Sequence, residues 1–334
     1  MQKKVKFAIY GCGLISNTHI RALNSIENVT VVGVGDINLE AAKSFAEKYG
    51  VDRVFESYDE MVSSADVDAI CICTPSGTHA SLGIKALDHD KNVVLEKPMA
   101  ITTADCDAII EAKKKSKGKV LIISQLRTRS DVRRVKSIID SGALGKLCVC
   151  DVFMKYYRNP DYYKGSWRGT KKMDGGGALM NQGIHGVDLL LHLCGPVKNV
   201  SSMVRTQHHD IEVEDTVVAI LEFESGAVGM IEATTCAYPG FNRRIEISGS
   251  DGSVVINEGS LERLVVRDGN IDERYTIETS EKASDPRVSD ITDHKKQISE
   301  FVDVILGDES ISWCDEYEGR KAVALIEKVY QSTI

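Results

Sequence analysis

Within residues 174–193, DGGGALMNQGIHGVDLLLHL, an apolar helical pattern carries Asn181, His185, Asp188 and His192 at spacings of four, three and four. On an α-helix these positions form one stripe. Burying an unpaired polar group costs about 1–3 kcal/mol, so four of them need partners or a crevice to face, while Met180, Ile184, Val187 and Leu191 supply the packed face. The His185 imidazole is suited to taking a proton near neutral pH. A second reactive group stands in VVLEKPMA, where Lys97 is followed by a proline that restricts its backbone. Its ammonium can hydrogen-bond the oxygen of an alcohol being oxidised. A third feature is AIYGCGLIS, in which Gly11 and Gly13 come directly after a strand-like run and before a helical one. Such glycines make a tight turn and let backbone approach a pyrophosphate, and Ser16 holds the small third position.

Positioning these groups requires two kinds of architecture. Up to about residue 123, short β-branched runs alternate with helical ones: VKFAIYG, VTVVGVGD, VDAICICT, NVVLEK and KVLIIS, with helices between them. That alternation predicts a parallel sheet covered on both faces. Ligands of such sheets sit beyond the carboxyl ends of the strands, so Thr74, Pro75, His79, Glu96 and Lys97 are expected around a cofactor. Leu14 and Ile15 in the glycine turn, and Ile37 beside Asp36, complete the expected contact set. Asp36 ends the second strand, where a carboxylate accepts ribose hydroxyls and repels a 2′-phosphate. The expected cofactor is therefore NAD rather than NADP, with Asn38 capping the next helix in place of Asp36. From about residue 146 longer alternating strands with the turns ESGA and GSDGS predict a largely antiparallel sheet, with a helix over 177–194 on one face. The fold class is α/β: an N-terminal Rossmann doubly wound parallel sheet over 1–123, then an α+β domain with a large open, mostly antiparallel sheet over 124–314. A C-terminal helix over 315–334 is expected to pack back on the first domain.

GCGLIS, CTPSGTHA, EKPMA and GGGALMNQGIHGVDLL, in this order and spacing, resemble the glucose-fructose oxidoreductase, inositol dehydrogenase and MocA (Gfo/Idh/MocA) family of sugar dehydrogenases, and the similarity spans nearly the whole chain. The resemblance implies a Rossmann domain followed by an open-sheet domain whose outer face builds homodimers or homotetramers. It also implies that Lys97 and His185 flank the substrate as the catalytic pair, either of which could take the proton directly. Many members carry aspartate at the position of Asn181. An amide cannot accept a proton, so Asn181 is expected to fix the substrate, and Asp188 and His192 to make structural hydrogen bonds.

Two segments are basic in an acidic chain: residues 155–172 hold six Lys or Arg against one acidic residue, and 125–136 hold five against one. Such patches attract anions. Together with YYKGSWRGT, GPV and IEVEDT they resemble the members that oxidise C3 of UDP-N-acetyl-2-amino-2-deoxyglucuronate, in which an Asn-Gln pair precedes the histidine. That resemblance implies Arg158, Arg168 and Arg127 as anion contacts, with Gln125, Tyr163 and Trp167 beside them. A free polyol such as inositol is the competing substrate, and a non-catalytic NAD-binding sensor the competing role.

Composition narrows the classes further. A net charge of −8 argues against a nucleic-acid partner, and no apolar run reaches the roughly 20 residues of a membrane span. The N-terminal MQKKVKFAIYGCG leads into a glycine turn, and no export signal is read there. Nine cysteines without a C-x-x-C pair read as buried free thiols in a reducing, cytoplasmic setting. His185, Asp188 and His192 have no cysteine at ligand spacing, and no metal is expected.

Overall fold

The run VKFAIY, closed by a glycine turn, forms the strand β1 (Val5–Tyr10) of a six-stranded parallel sheet in the computed structural model, which describes residues 4–267, 269, 271–277 and 290–334. The chain divides into two units, Met1–Gln125 with Ser289–Arg320, and Leu126–Val288 with Lys321–Ile334. In the first, β1 is followed by α1 (Ser16–Asn24), β2 (Val29–Gly35), α2 (Leu39–Tyr49), β3 (Val54–Phe55), α3 (Tyr58–Ser63), β4 (Ala69–Ile72), α4 (His79–Asp88), β5 (Asn92–Leu95), α5 (Thr103–Lys115) and β6 (Val120–Ile122). The spatial order β3-β2-β1-β4-β5-β6 reverses direction at β1, which makes the β1/β4 crevice the switch point where ligands bind.

The core of this unit is built from the strand residues Phe7, Ile9, Val34, Cys71, Val94 and Leu121 and from Ile20 and Leu23 of α1. Ile298, Phe301, Val302 and Val304 of a helix spanning Thr292–Leu306 join the same core. Each such side chain contributes about 1.5–3 kcal/mol by its burial. The returning chain also covers the edge strand β6. Ile122 N–H donates to the Cys314 carbonyl at 2.8 Å, the Trp313 indole to Val120 O at 2.9 Å, and Gln297 binds both Ser124 N and Ile122 O at 3.1 Å. The expected limit of the second domain at residue 314 is thereby corrected. Residues 290–320 supply core and edge contacts to the first unit, which their local periodicity does not reveal.

The second unit contains α6 (Ser130–Asp140), β7 (Leu147–Lys155), α7 (Ile184–Cys194), β8 (Val197–Arg205), β9 (Thr216–Phe223), β10 (Val228–Thr234), β11 (Arg244–Gly249), β12 (Gly252–Asn257), β13 (Ser260–Val266) and β14 (Ile271–Arg274). Its eight-stranded sheet runs β14-β13-β12-β11-β7-β10-β9-β8, antiparallel throughout except for the β7/β10 pair. ESGA and GSDGS close the β9/β10 and β11/β12 hairpins. Val152, Met154, Val217, Ala219, Ile231, Ile245 and Ile247 are buried on alternate positions of the inner face. There α7 lies so close to β7 that a Cβ on Gly186 would stand 2.3 Å from Met154 Sδ.

The last helix, Glu316–Gln331, begins among first-unit residues, with Arg320 paired to Asp107 at 2.5 Å. From Lys321 onward it groups with the second unit, against the expectation that it packs back on the first domain. Tyr330 donates to Glu214 at 2.9 Å, and Ser202 exchanges backbone hydrogen bonds with Ser332 and Ile334 at 3.1 and 2.9 Å. The tail is thereby tied to β8. Among the described residues no helix is long and apolar enough to cross a membrane.

Candidate active site

At the end of β1, Gly11 has φ +96° and donates its N–H to Gly35 O at 2.8 Å. A Cβ there would stand 2.6 Å from Cys73 O, so both conformation and space demand glycine. Gly13 differs, since a Cβ on it would meet nothing within 4 Å. The protein's own packing gives no reason for glycine at 13, whereas a diphosphate brought against the backbone does. Ser16 is buried and donates to Gly13 O at 2.5 Å, filling the third small position as α1 opens without a side-chain cap. Asp36 accepts from Cys12 N at 2.7 Å and Asn38 N at 2.8 Å, which fixes its carboxylate at the strand end. Asn38 caps α2 through Glu40 N and Ala41 N, as expected. Beside the carboxylate, Ile37 is 95% exposed and Leu14 50%; Ile15 is half-buried. Burial and the Asp36 charge push the Cys12 thiol up to about 12, so it stays protonated. These residues fit an adenine dinucleotide without a 2′-phosphate. Asp36→Ala is expected to raise KM for NAD by about 10–100-fold, the worth of charge-assisted hydrogen bonds of 1.5–3 kcal/mol, and to narrow the preference over NADP. Initial rates with the two dinucleotides check this.

The carboxyl ends of β4 and β5 carry the other expected cofactor residues. Thr74 and Pro75 are half-buried, and the Thr74 hydroxyl lies 2.7 Å from that of Thr78. His79 is only 1% exposed, with Nδ1 at 2.7 Å from Pro98 O and Nε2 at 3.0 Å from Thr74 O. Burial holds its pKa below the ordinary histidine value even against these two carbonyls. The buried imidazole ties one strand-end loop to the other.

Glu96 is likewise turned inward. Its Oε1 lies 2.7 Å from His19 Nε2 and 3.7 Å from His294 Nε2, and its Oε2 accepts the Lys97 N–H at 3.2 Å. Burial would raise this carboxyl, but hydrogen bonds and charge from His19 and His294 outweigh it and hold the group well below the usual carboxylate range. Glu96 therefore fixes the main chain of the half-buried Lys97. Sequence reasoning missed both histidines. His19 follows the glycine turn on a face of α1 that looks apolar, and His294 comes from a distant segment.

In the second unit the stretch 174–194 is not one α-helix. A π-helical turn, Ala178–Gly183, precedes α7 and widens the spiral, so Asn181 and His185 do not share the regular spacing of an α-stripe. Gly177 is pressed against Glu214, whose main-chain O would lie 1.8 Å from a Cβ. The Glu214 carboxylate accepts the N–H groups of Gly177 and Leu179 at 2.8 and 2.9 Å, and burial raises its pKa. Asn181 donates to Asp174 at 2.5 Å, and Asp174 accepts Gly169 N at 2.8 Å. Asp188 receives a two-pronged pair from Arg127, Nε at 2.9 Å and Nη2 at 2.7 Å. The polar stripe is thus largely answered by partners, with His185 and His192 half-buried along α7.

The expected substrate contacts separate into two groups. Arg127 is committed to Asp188, and Arg158 is 5% exposed with Nη1 on Tyr157 O at 2.7 Å. Tyr163 is buried against the His209 ring at 4.8 Å, its hydroxyl on Thr235 at 3.3 Å. All three side chains thus have partners within the second unit. Arg168 remains half-buried, its guanidinium 4.8 Å from the Tyr162 ring and 5.1 Å from that of Trp167, also half-buried. Gln125 is half-buried at the end of the first unit's main segment.

Residues 5–124 match the family described as "Oxidoreductase family, NAD-binding Rossmann fold", and residues 132–255 match the "GFO/IDH/MocA C-terminal domain". Among solved structures, the WlbA dehydrogenase from Bordetella pertussis, in complex with NADH and UDP-GlcNAcA, superimposes with a TM-score of 0.86 at 30% identity, over 99% of this chain and 96% of that one. Myo-inositol 2-dehydrogenase of Thermotoga maritima is 26% identical over 88% of each chain. Inositol 2-dehydrogenase of Burkholderia lata is 30% identical over 74% of this chain and 72% of its own.

Proposed function

This chain belongs to the Gfo/Idh/MocA family of NAD-dependent sugar and polyol oxidoreductases, and from that premise we propose that it oxidises a secondary hydroxyl, at C3, of an anionic nucleotide sugar of the UDP-N-acetylglucosaminuronate class. The bound NAD supplies the hydride acceptor. Gly11 and Gly13 admit the diphosphate, Asp36 takes the adenosine ribose hydroxyls, and Ile37 and Leu14 offer apolar surface. Lys97 and His185 carry the proton transfer: the ammonium holds the alcohol oxygen, and the imidazole accepts or relays the proton. Arg168, stacked with Tyr162 and Trp167, supplies a cation and aromatic faces for the nucleotide part of the substrate.

The observation that carries this reading is the near full-length similarity to a dehydrogenase solved with UDP-GlcNAcA. A free polyol is the second reading. It is favoured by the similarity to inositol dehydrogenases and by the inward commitment of Arg127 and Arg158, which leaves fewer cations for a diphosphate. The test follows NAD reduction against UDP-uronates, free inositols and aldoses. The proposal expects UDP-uronates to give the highest kcat/KM, and turnover of neutral polyols alone would refute the nucleotide-sugar assignment while leaving the family chemistry in place.

Two further assignments belong to the same proposal. The outer face of the second sheet presents Val149, Met203, Val218, Ile220 and Val228, each exposed, which suits a second copy in a homodimer or homotetramer. All nine cysteines are free thiols, most of them buried, which suits a reducing cytoplasm.

A further inference from the structure

Among the described residues, two clusters of histidine with acidic or thiol side chains lie inside the chain, one in each unit. In the first, His19 Nε2 and Glu96 Oε1 are 2.7 Å apart, a hydrogen-bond length with a proton between the atoms. That is too close for two ligands of one ion. In the second, His209 Nδ1 lies 3.7 Å from Cys236 Sγ and 3.4 Å from Asp215 Oδ2. Bond lengths of about 2.3 Å for Zn–S and about 2.0–2.2 Å for Zn–N and Zn–O place tetrahedral ligand atoms roughly 3.3–3.6 Å apart. The two distances from His209 Nδ1 lie close to these spacings, and all three ligand atoms lie within 4.8 Å of one another.

Its surroundings are also those of a ligand set. His209 Nε2 lies 2.9 Å from Arg158 O, and donation to that carbonyl leaves the Nδ1 lone pair directed at the cluster. Metal-bound histidines are oriented in this way. Asp215 is fixed by the N–H groups of Gln207, His208 and His209 at 2.9, 2.8 and 3.0 Å. Because Oδ2 already serves two of these amides, it is the weakest of the three donors. Cys236 is half-buried, which gives an ion a way in. The exposed His208 has its ring centroid 5.0 Å from that of His209.

We propose that Cys236, His209 and Asp215 bind one thiophilic divalent cation of the zinc class, with the fourth position taken by His208 or water. The ion fastens the turn 206–215 to the chain leaving β10. Through the Arg158 carbonyl and the Tyr163 ring it also steadies the loop that carries Arg168. The site is structural and takes no part in hydride transfer. Residues 209, 215 and 236 follow no motif spacing, so only the fold brings them together.

The test uses the full chain, stripped with a chelator and titrated with cobalt(II). One cobalt per chain is expected, with a sulfur-to-cobalt charge-transfer band in the near ultraviolet and tetrahedral d–d bands in the visible. Cys236→Ser should abolish the charge-transfer band, and Cys148→Ser, at an exposed thiol, should retain it. A second readout on the unmodified sequence does not depend on a variant folding. Zinc should slow iodoacetamide labelling of Cys236 by about tenfold, since a metal-bound thiolate is a poor nucleophile, and leave Cys148 unchanged. Absence of the band, its survival in Cys236→Ser, or equal labelling of Cys236 with and without zinc would overturn the assignment.

Discussion

Lys97→Met is expected to lower kcat by about 10²–10⁴-fold, the usual worth of a positioned proton-transfer group, while NADH binding followed by fluorescence changes little. Methionine keeps the apolar stem and removes the ammonium. The hydrogen bond from the main-chain N–H of residue 97 to Glu96 does not depend on the side chain, so the strand end should stay in place. His185→Ala should fall in the same range. If the two residues act as one unit, the double variant loses scarcely more than the worse single one. Initial rates on the best substrate of the panel give the comparison. Undiminished turnover in Lys97→Met would remove the lysine from the chemistry, and retained biological activity without turnover would favour a non-catalytic NAD-binding role.

The largest stability effect is expected at Asp188. Its carboxylate and the Arg127 guanidinium are 6% and 12% exposed and joined by two short hydrogen bonds. Asp188→Ala leaves a nearly buried cation without its counter-ion, which typically costs about 3–5 kcal/mol. Replacing both, Arg127→Met with Asp188→Leu, should restore much of that loss, because two apolar groups of similar volume remove the charge and the demand for a partner together. Urea unfolding of the full chain measures each variant. A loss below about 1 kcal/mol in Asp188→Ala would place the pair among weakly coupled surface contacts.

Much of the cofactor site is legible because its signals are local. A short apolar run, two glycines at fixed offsets and an acidic residue at the next strand end are all read from neighbouring residues, and Gly11 and Gly13 follow β1 while Asp36 follows β2. Partnership is less legible than type. His79 and Glu96 read as cofactor contacts because they lie beyond the carboxyl ends of β4 and β5, but the partners of their polar atoms, Pro98 and Thr74 for one and His19 for the other, are not announced by any local pattern. Arg127 reads as an anion contact, and nothing local announces that Asp188, 61 residues away, pairs with it. The π-helical turn at Ala178–Gly183 is hidden for a different reason. Its sequence keeps ordinary helical hydrophobicity, and nothing in it announces that Gly177, just before the turn, is pressed against Glu214. The helix Thr292–Leu306 has an evident amphipathic pattern, but no local feature names the sheet it serves.

The covering of β6 by Gln297, Trp313 and Cys314 bears on how the molecule can be taken apart. A fragment cut after residue 125 would lack these hydrogen-bonding groups and the Phe301 and Val302 side chains that complete its interior. Such a piece would display a bare strand margin beside uncovered hydrocarbon, a template for self-association. A minimal dinucleotide-binding module therefore has to be assembled from two separated stretches joined by an engineered linker.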